Sequence, residues 1–486
     1  MGLSKARSVV WPAPVAGAGQ ALFERRGIEW IPQRDRRGTP RDIGAMWAGL
    51  TINVFPVIFG AILISLGLNW IQAAVVIALG NLSYVLLGLA SLAGPLAGTT
   101  TFVISRAPFG PNGNRGVGLL NWLLLVGSEM LGVSLGVLAV LVLLGKAGIA
   151  STTTVKLVVI ALAVLAQAIV PLLGHAVVVR VLKYLAAPFA AMFILFAILA
   201  ADKVHLTAGG SKASFATFAV AFALVVSSGG LGDVVYSCDY TRYLPPGVNR
   251  RKLVLWVTLS TFVPWTLLQL LGAAVATAVP GATDPISGLP KVFPAWFLVP
   301  YLILLIAQVY AGNLVNLYSS GVTLQAIGVK VARWQAVLID TILVAGLVFL
   351  ITFAATFNTV ISDFLLFMLL WFAPWAAIFL VDLWLRRGRY DAAGLMDDAR
   401  GIYWRKRGIH LPGAVAQLAG MAAAALWVST PVWKGPLSTA TGGADMSVWM
   451  GLGVAGALYF IFGRASVRQE VRASLVMPQE QTVTGE

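Results

Sequence analysis

The chain consists mainly of long apolar runs separated by short polar segments. The runs are about 20 residues long, and a helix of that length crosses a hydrocarbon core of roughly 30 Å. We therefore predict an all-α integral membrane protein with twelve transmembrane helices, which we number as spans 1 to 12. The predicted spans cover residues 43–67, 71–96, 117–144, 153–173, 181–201, 214–240, 253–279, 294–325, 335–355, 360–385, 412–430 and 447–463.

Two of these spans contain residues that disfavour a continuous helix. Span 6 includes the segment 227–233 (SSGGLGD), and span 1 places Asn53 shortly before Pro56. Backbone groups in lipid must be satisfied within the protein, so such breaks are tolerated only where they face protein or a cavity. For span 1 the alternative is an ordinary proline kink that meets no ligand.

The two irregular spans lie five helices apart. That separation is expected from two inverted repeats of five helices, whose broken helices face each other near the middle of the bilayer. We predict a first repeat at 43–201, a second repeat at 214–385, and two extra helices at 412–463. The remainder is predicted to form a cytoplasmic N-terminal segment, 1–42, and a cytoplasmic C-terminal tail, 464–486.

The composition also indicates a membrane protein, and the placement of charge indicates its orientation. Apolar residues make up 59% of the chain, charged residues 11%, and the mean hydropathy is +0.86. The net charge of +15 would suit a nucleic-acid-binding protein, but 28 of the 34 Lys and Arg residues fall in alternate loops and the two termini. This positive-inside distribution predicts cytoplasmic termini, a plasma-membrane location in the lipid bilayer, and no nucleic-acid partner.

The sequence predicts no metal site and no cofactor. Cys238 is the single cysteine, and the three histidines are scattered. The glycine pattern at 451–456 matches a dinucleotide fingerprint formally, but it lies inside an apolar span with no strand before it, so helix packing is the better interpretation. We also predict that the chain is not an enzyme, because no nucleophile, base and orienting group form a recognisable set.

Four polar side chains are expected at membrane depth. They are Glu129 in span 3, Asp233 in span 6, and Asn313 and Asn316 in span 8. A charged group at that depth is energetically costly and usually takes part in an ion pair or in transport. A buried carboxyl can also take up and release a proton. The two asparagines share a helix face and can present their amides to one planar ligand. Purely structural bonds between helices are the alternative for each of them.

Six motifs follow one another along the chain. They lie at 23–32 (FERRGIEWIP), 47–53 (WAGLTIN), 94–110 (with GPLAG and ISRAPFG), 237–245 (SCDYTRYLP), 313–321 (NLVNLYSSG) and 389–403. Together they resemble the nucleobase/cation symporter family, especially its purine and cytosine permease branch. The resemblance implies a five-plus-five inverted-repeat (LeuT-like) fold and uptake of a small planar heterocycle, coupled to a cation gradient by alternating access.

The resemblance also implies which residues bind the small-molecule substrate. They are Asn53, Ser128, Glu129, Gly230, Asp233, Asn313 and Asn316. For the co-transported cation, the candidates are the carboxyls of Glu129 and Asp233 and the unwound backbone near Gly49 and Ile52.

The substrate expectation follows from a departure from the family pattern. Members often stack the base between tryptophans of helices 3 and 6, but this chain has Ser128 and Glu129 at the first position, and glycine, leucine or aspartate at the second. Trp122 lies about two turns away on the same face, so it is a poor substitute. Carboxylates favour a donor-rich ring, so we expect a substrate resembling cytosine or a purine.

Other solutes and another coupling ion remain as alternatives. Allantoin or a hydantoin, thiamine or another vitamin, and an amino acid or amine would each suit this broad fold. Sodium-coupled relatives supply hydroxyls in helix 8 before the binding asparagine, but the stretch 304–309 (LLIAQV) has none. We therefore expect proton coupling, with sodium as the alternative. A channel is disfavoured because no ring of polar residues recurs across the spans.

Overall fold

The computed structural model describes residues 27–173, 175–206, 213–354, 357–430 and 432–476. Residues 23–26 of the first motif and 477–486 of the predicted tail lie outside the described residues. Twenty α-helices are described: α1 (Pro40–Thr51), α2 (Phe55–Ser65), α3 (Trp70–Asn81), α4 (Tyr84–Ala90), α5 (Ala93–Ala97), α6 (Thr101–Ile104), α7 (Arg106–Phe109), α8 (Pro111–Lys146), α9 (Thr153–Leu173), α10 (His175–Ala200), α11 (Phe215–Ser228), α12 (Ser237–Thr241), α13 (Arg250–Ala278), α14 (Leu298–Ala326), α15 (Arg333–Ala354), α16 (Phe357–Arg386), α17 (Ala392–Met396), α18 (Leu411–Trp427), α19 (Pro436–Ala440) and α20 (Ser447–Val476).

The predicted all-α membrane fold is confirmed. Among the described residues, ten helical segments are long and apolar enough to cross a membrane, and the bent pair α1–α2 makes an eleventh. Span 4 of the prediction is the helix α9, in which the described apolar stretch, Thr153–Ile169, is shorter than the others. Length and composition therefore support eleven of the twelve predicted spans.

Span 1 is broken where the sequence predicts a kink. Helix α1 ends at Thr51, α2 begins at Phe55, and the two are bent by 53°. The side chain of Asn53 closes the gap, since its Nδ2 donates to the carbonyl of Leu50 at 2.7 Å and its Oδ1 accepts from the backbone N–H of Phe55 at 2.9 Å. Pro56 lies in the first turn of α2, where a missing N–H costs nothing.

Span 6 is broken in its middle as well. Helix α11 ends at Ser228, a 3-10 helix follows over Gly232–Tyr236, and α12 begins at Ser237. Gly229 takes φ −117° and ψ −135°, outside the helical region. The short 3-10 helix turns Asp233 and Tyr236 toward the centre of the protein.

Glycines let the helices around span 1 pack backbone against backbone. A Cβ on Gly60 of α2 would lie 1.9 Å from the carbonyl oxygen of Gln269 in α13, and one on Gly272 of α13 would lie 1.9 Å from that of Val57 in α2. Such close approach is available only to glycine. The two helices therefore form one tightly packed pair beside the break.

The last helix extends further than the predicted end of span 12 at 463. Helix α20 continues to Val476, and its Glu470 accepts from the buried guanidinium of Arg386 at 2.8 Å. Arg386 also pairs with Asp382 at 2.8 Å, and Glu470 makes a second ion pair with Arg405. This network fixes the end of α20 against α16.

Candidate functional site

A cavity of about 140 Å³ lies between the two broken spans. Both breaks open into it, and spans 3, 7, 8 and 10 complete its wall. Its lining comprises Leu50, Thr51, Asn53, Phe55, Phe59, Leu124, Ser128, Leu131, Ser227, Ser228, Gly232, Asp233, Tyr236, Trp265, Gln308, Val309, Gly312, Asn313, Asn316, Phe364 and Met368. Nine of these 21 residues have apolar side chains, ten have polar ones and two are glycines, so apolar walls and convergent polar groups meet in one cavity, as in sites for small ligands.

Five of the residues predicted to bind substrate come together in this cavity. They are Asn53, Ser128, Asp233, Asn313 and Asn316. Glu129 and Gly230 are not among its lining residues, and neither are Gly49 and Ile52. The structure thus assembles residues from spans 1, 3, 6 and 8 into one site and leaves four of the predicted residues outside it.

The amides of span 8 are held by a chain of hydrogen bonds. The hydroxyl of Tyr236 donates to Oδ1 of Asn316 at 2.6 Å, and Nδ2 of Asn316 donates to Oδ1 of Asn313 at 3.2 Å. Nδ2 of Asn313 in turn donates to Oε1 of Gln167 at 3.2 Å and to the carbonyl of Glu129 at 3.1 Å. Asn313 therefore orients Asn316, whose second amide hydrogen is left for a ligand.

Asp233 contributes a carboxylate to the cavity. It lies near the start of the 3-10 helix that follows the break in span 6. Among the described residues, none donates a hydrogen bond to its side chain or pairs with it, and it is the single carboxylate in the lining. A carboxylate in such a position can accept two hydrogen bonds from a ligand.

Glu129 is buried beside the cavity but does not face it. Its side chain is inaccessible, and its two carboxyl oxygens have no hydrogen-bond partner among the described residues. Ser128 lines the cavity, and successive residues of a helix point about 100° apart, so Glu129 faces the helices behind. The sequence identifies both residues, but only the rotation of α8 distinguishes their surroundings.

A second buried acid lies behind the cavity, where it is fully hydrogen-bonded. Asp340 of α15 accepts from Nε1 of Trp122 at 2.9 Å and from the hydroxyl of Ser320 at 2.7 Å. Trp122 is thereby engaged away from the cavity, in agreement with the expectation that it is a poor stacking residue. Asp340 therefore serves as a comparison for Glu129, whereas the predicted coupling role of Asp233 stays a prediction.

Gly49 and Ile52, which were predicted to lie near a cation, have structural roles in this conformation. A Cβ on Gly49 would lie 2.1 Å from the carbonyl oxygen of Leu182 in α10, so this glycine permits a close helix contact. Ile52 ends α1, with its N–H donated to the carbonyl of Ala48 at 3.0 Å. Their roles in cation binding stay predictions.

Gly230 is a packing residue in this structure. A Cβ there would lie 2.2 Å from the backbone nitrogen of Tyr84 and 2.3 Å from its Cα, at the start of α4. Backbone atoms cannot give way as a flexible side chain can. Gly230 therefore sets how closely span 2 approaches the break in span 6.

Replacing Gly230 by Ala should destabilise the folded protein, because the added methyl overlaps the backbone at Tyr84. We expect a loss of about 1–3 kcal/mol, the usual cost of overpacking, and a lower thermal transition of the purified protein. Gly116→Ala is the matched control, since a Cβ at Gly116 meets nothing within 4 Å. Equal transition temperatures for the two variants would refute this packing role.

An aromatic wall is the main feature that sequence reasoning missed. The rings of Phe55 and Phe59 are 6.2 Å apart with 26° between their planes, and Phe59 is 6.2 Å from Trp265 of α13. All three line the cavity. The spacing of Phe55 and Phe59 by one helical turn after the break was an available signal. Spans 1 and 7 thus supply aromatic rings to the cavity, which Tyr236 of span 6 also lines.

Comparison with known proteins relates the chain to a family of permeases. Residues 30–451 match the family described as permeases for cytosine/purines, uracil, thiamine and allantoin. The chain is 26% identical to the YxlA protein of Bacillus subtilis, over 92% of this chain and 97% of that protein. It is also 26% identical to the purine-cytosine permease fcyB of Emericella nidulans, over 91% of this chain and 88% of that protein.

A solved structure shows the same fold. The transporter Mhp1, of the nucleobase-cation-symport-1 family, was determined in a closed conformation with bromovinylhydantoin bound. It superposes with a TM-score of 0.69 at 19% identity, over 93% of this chain and 97% of that one. The LeuT-like fold predicted from the sequence is confirmed, and a match to the family over residues 30–451 establishes that this chain belongs to the nucleobase/cation symporter family of membrane transporters.

Proposed function

We propose that this protein is a secondary active symporter that imports a nucleobase or a related nitrogen heterocycle by alternating access. The observation that carries this proposal is the cavity between the two broken spans, where Asp233, Asn316 and an aromatic wall meet. A flat ring can lie against Phe59 and Trp265 while its polar edge reaches the carboxylate and the amide. The proposed setting is the plasma membrane, with both termini in the cytoplasm, as the basic residues predict.

The polar groups of the cavity favour a ring that donates hydrogen bonds. When it is ionised, Asp233 can only accept hydrogen bonds. Asn316 has one N–H left to donate, because its other N–H is bonded to Asn313 and its oxygen already accepts from Tyr236. Cytosine and adenine carry an exocyclic amino group as a donor and a ring nitrogen as an acceptor close to it. We propose a cytosine-like or aminopurine substrate on this ground.

A ligand panel tests the substrate class directly. The purified protein is heated with nucleobases, hydantoins, allantoin, thiamine, amino acids and amines, because a ligand that binds only the folded state stabilises it by about 2.7 kcal/mol at a hundred times its Kd. We expect cytosine or adenine to raise the transition temperature most, and uracil to raise it less. Stabilisation by an amino acid or amine alone would replace this proposal with the same-fold alternative.

The proposed coupling ion is the proton. Glu129 supports it, since its carboxyl is buried with no hydrogen-bond partner among the described residues, and an isolated charge there would be costly. Stretch 304–309 of α14 adds no hydroxyl ligand for sodium, and Gln308 offers a single amide oxygen to the cavity. A hard cation needs several oxygen ligands.

Transport measurements in proteoliposomes distinguish the two ions. In sodium-free buffer, we expect substrate to accumulate when the exterior is more acidic than the interior, so that protons are driven inward. This accumulation should collapse when a protonophore is added. Replacing external sodium by choline at clamped pH should leave the uptake rate within about twofold. Uptake that follows external sodium and survives the protonophore would overturn proton coupling while leaving the substrate assignment intact.

A further inference from the structure

A second and larger recess, of about 800 Å³, lies at the ends of several helices and shares no lining residue with the substrate cavity. We call it the arginine groove. Its floor is apolar and is formed by Leu92 and Leu96 near the end of span 2 and by Leu380 and Leu383 near the end of α16. Trp384, at its edge, is 67% exposed. We expect a trough at the end of membrane-spanning helices to lie near the lipid headgroups.

Five exposed arginines line the same groove. They come from the start of α13, the turn after α16 and the last turns of α20, and they are Arg250, Arg387, Arg389, Arg468 and Arg472. Within the described residues, none of their side chains makes an ion pair or a hydrogen bond. Like charges gathered around one recess repel one another, so an anion between them would be stabilised.

The acidic residues nearby are already neutralised. Asp382 and Glu470 both pair with the buried Arg386, at 2.8 Å each, and Glu470 also contacts Arg405. They are therefore committed to fixing α20 against α16 and cannot balance the exposed arginines. The positive charge of the groove is left for an external partner.

The turn that carries two of these arginines is held in an unusual conformation. Arg387 has φ 54° and Gly388 has φ 73°, so two successive residues are left-handed. A Cβ on Gly388 would lie 2.3 Å from Cδ1 of Leu96, so the turn rests directly on the floor of the groove. Left-handed backbone is unfavourable for a residue other than glycine, and such conformations cluster at ligand sites.

We propose that the arginine groove binds an anionic phospholipid of the surrounding membrane. The planar guanidinium of an arginine can donate hydrogen bonds to two phosphate oxygens at once. Basic pockets between transmembrane helices are therefore suited to anionic headgroups. The lipid phosphate lies among the five arginines, and the first part of its acyl chains covers Leu92, Leu96 and Leu383. A zwitterionic lipid brings its own cation to the arginines and is bound less tightly. This site is separate from the substrate cavity and does not depend on the proposed cargo.

Native mass spectrometry of the purified full-length protein in detergent tests the proposal. The protein is titrated with phosphatidylglycerol or with phosphatidylcholine of the same acyl chains. We expect phosphatidylglycerol to be retained at about a tenfold lower concentration, since the choline cation of phosphatidylcholine offsets the charge of its phosphate. Equal retention of the two lipids by the unaltered protein would overturn the proposal, whatever the variants do.

Two variants with equal changes of charge locate the site. One carries Arg387→Gln, Arg389→Gln, Arg468→Gln and Arg472→Gln, and we expect it to retain phosphatidylglycerol only as well as phosphatidylcholine. The control carries Arg37→Gln, Arg41→Gln, Arg180→Gln and Arg400→Gln, four exposed arginines outside the groove, and should bind like the unaltered protein. An equal loss in both variants would mean a general effect of net charge, contrary to the proposal.

Two further arms exclude other occupants. Glycerol phosphate and inorganic phosphate should not displace the lipid at equal concentration, because they cannot cover the leucine floor; displacement by either would show a headgroup site without a lipid. The full-length variant with Glu480→Gln and Glu486→Gln should bind phosphatidylglycerol as before. If phosphatidylglycerol bound only to that variant, the C-terminal tail of the chain would be the normal occupant of the groove.

Discussion

Replacing Asp233 by Asn should weaken binding of an amino-bearing heterocycle by about 10- to 100-fold, because a hydrogen bond to a charged group contributes about 1.5–3 kcal/mol. The substitution keeps the shape of the side chain but removes the charge and turns one acceptor into a donor. We therefore also expect a change in preference, with a ring that presents a carbonyl at this edge, such as uracil, gaining relative to cytosine. Competition for uptake, or calorimetric titration of the purified variant, measures both effects.

The control for this prediction is a carboxylate outside the cavity. Asp202 is exposed at the end of α10, and Asp202→Asn changes the net charge by the same amount. It should leave both affinity and preference unchanged. If Asp233→Asn binds cytosine as well as the unaltered protein does, the carboxylate does not contact the substrate, and the donor-rich cargo proposed from it loses its main support.

Replacing Glu129 by Gln should abolish concentrative uptake while leaving the protein folded and present at the membrane. The carboxyl lies outside the lining of the cavity, so we expect substrate affinity to change by less than about threefold. Exchange of labelled for unlabelled substrate should persist, because it needs the conformational change but no net movement of the cation. Accumulation against a gradient and exchange, measured in the same proteoliposomes, separate these two properties.

Asp340 is the matched comparison for Glu129. It is buried in the same region, but two donors, Trp122 and Ser320, hydrogen-bond its carboxyl, so it has the partners that the carboxyl of Glu129 lacks among the described residues. Asp340→Asn should therefore leave coupling intact and should act mainly on stability. If accumulation is lost in Asp340→Asn and kept in Glu129→Gln, Asp340 is the proton carrier and Glu129 has no part in coupling.

Much of the architecture was predictable because lipid imposes simple rules on a chain. Apolar length fixes the spans, and backbone groups that cannot be satisfied mark a break, which is why Asn53 with Pro56 and the glycines before Asp233 were informative. The asparagine pair in span 8 was predictable too, since two amides one turn apart in an apolar helix must face something polar. Each of these inferences uses only neighbours along the chain.

The remaining features depend on how distant helices cross. Ser128 and Glu129 are adjacent, yet one lines the cavity and the other is buried behind it, and only the rotation of α8 decides between them. Gly230 was expected to meet substrate, and the approach of Tyr84 from another span adds a packing role that its own neighbours along the chain do not indicate. The aromatic wall joins spans 1 and 7, whose contact no local pattern indicates. Side-chain direction and helix contacts therefore limited the prediction, whereas residue type did not.

The position of Asn53 affects how genetic screens of this transporter should be interpreted. Both ends of its amide are bonded to the backbone across the bend in span 1, so its substitution disturbs the shape of the whole site. Strains that carry changes at Asn53 should become resistant to every toxic base analogue together. A change at Asp233 should instead confer resistance to some analogues and sensitivity to others. The pattern of cross-resistance, which needs no purified protein, would thus separate residues that shape the site from residues that discriminate among its ligands.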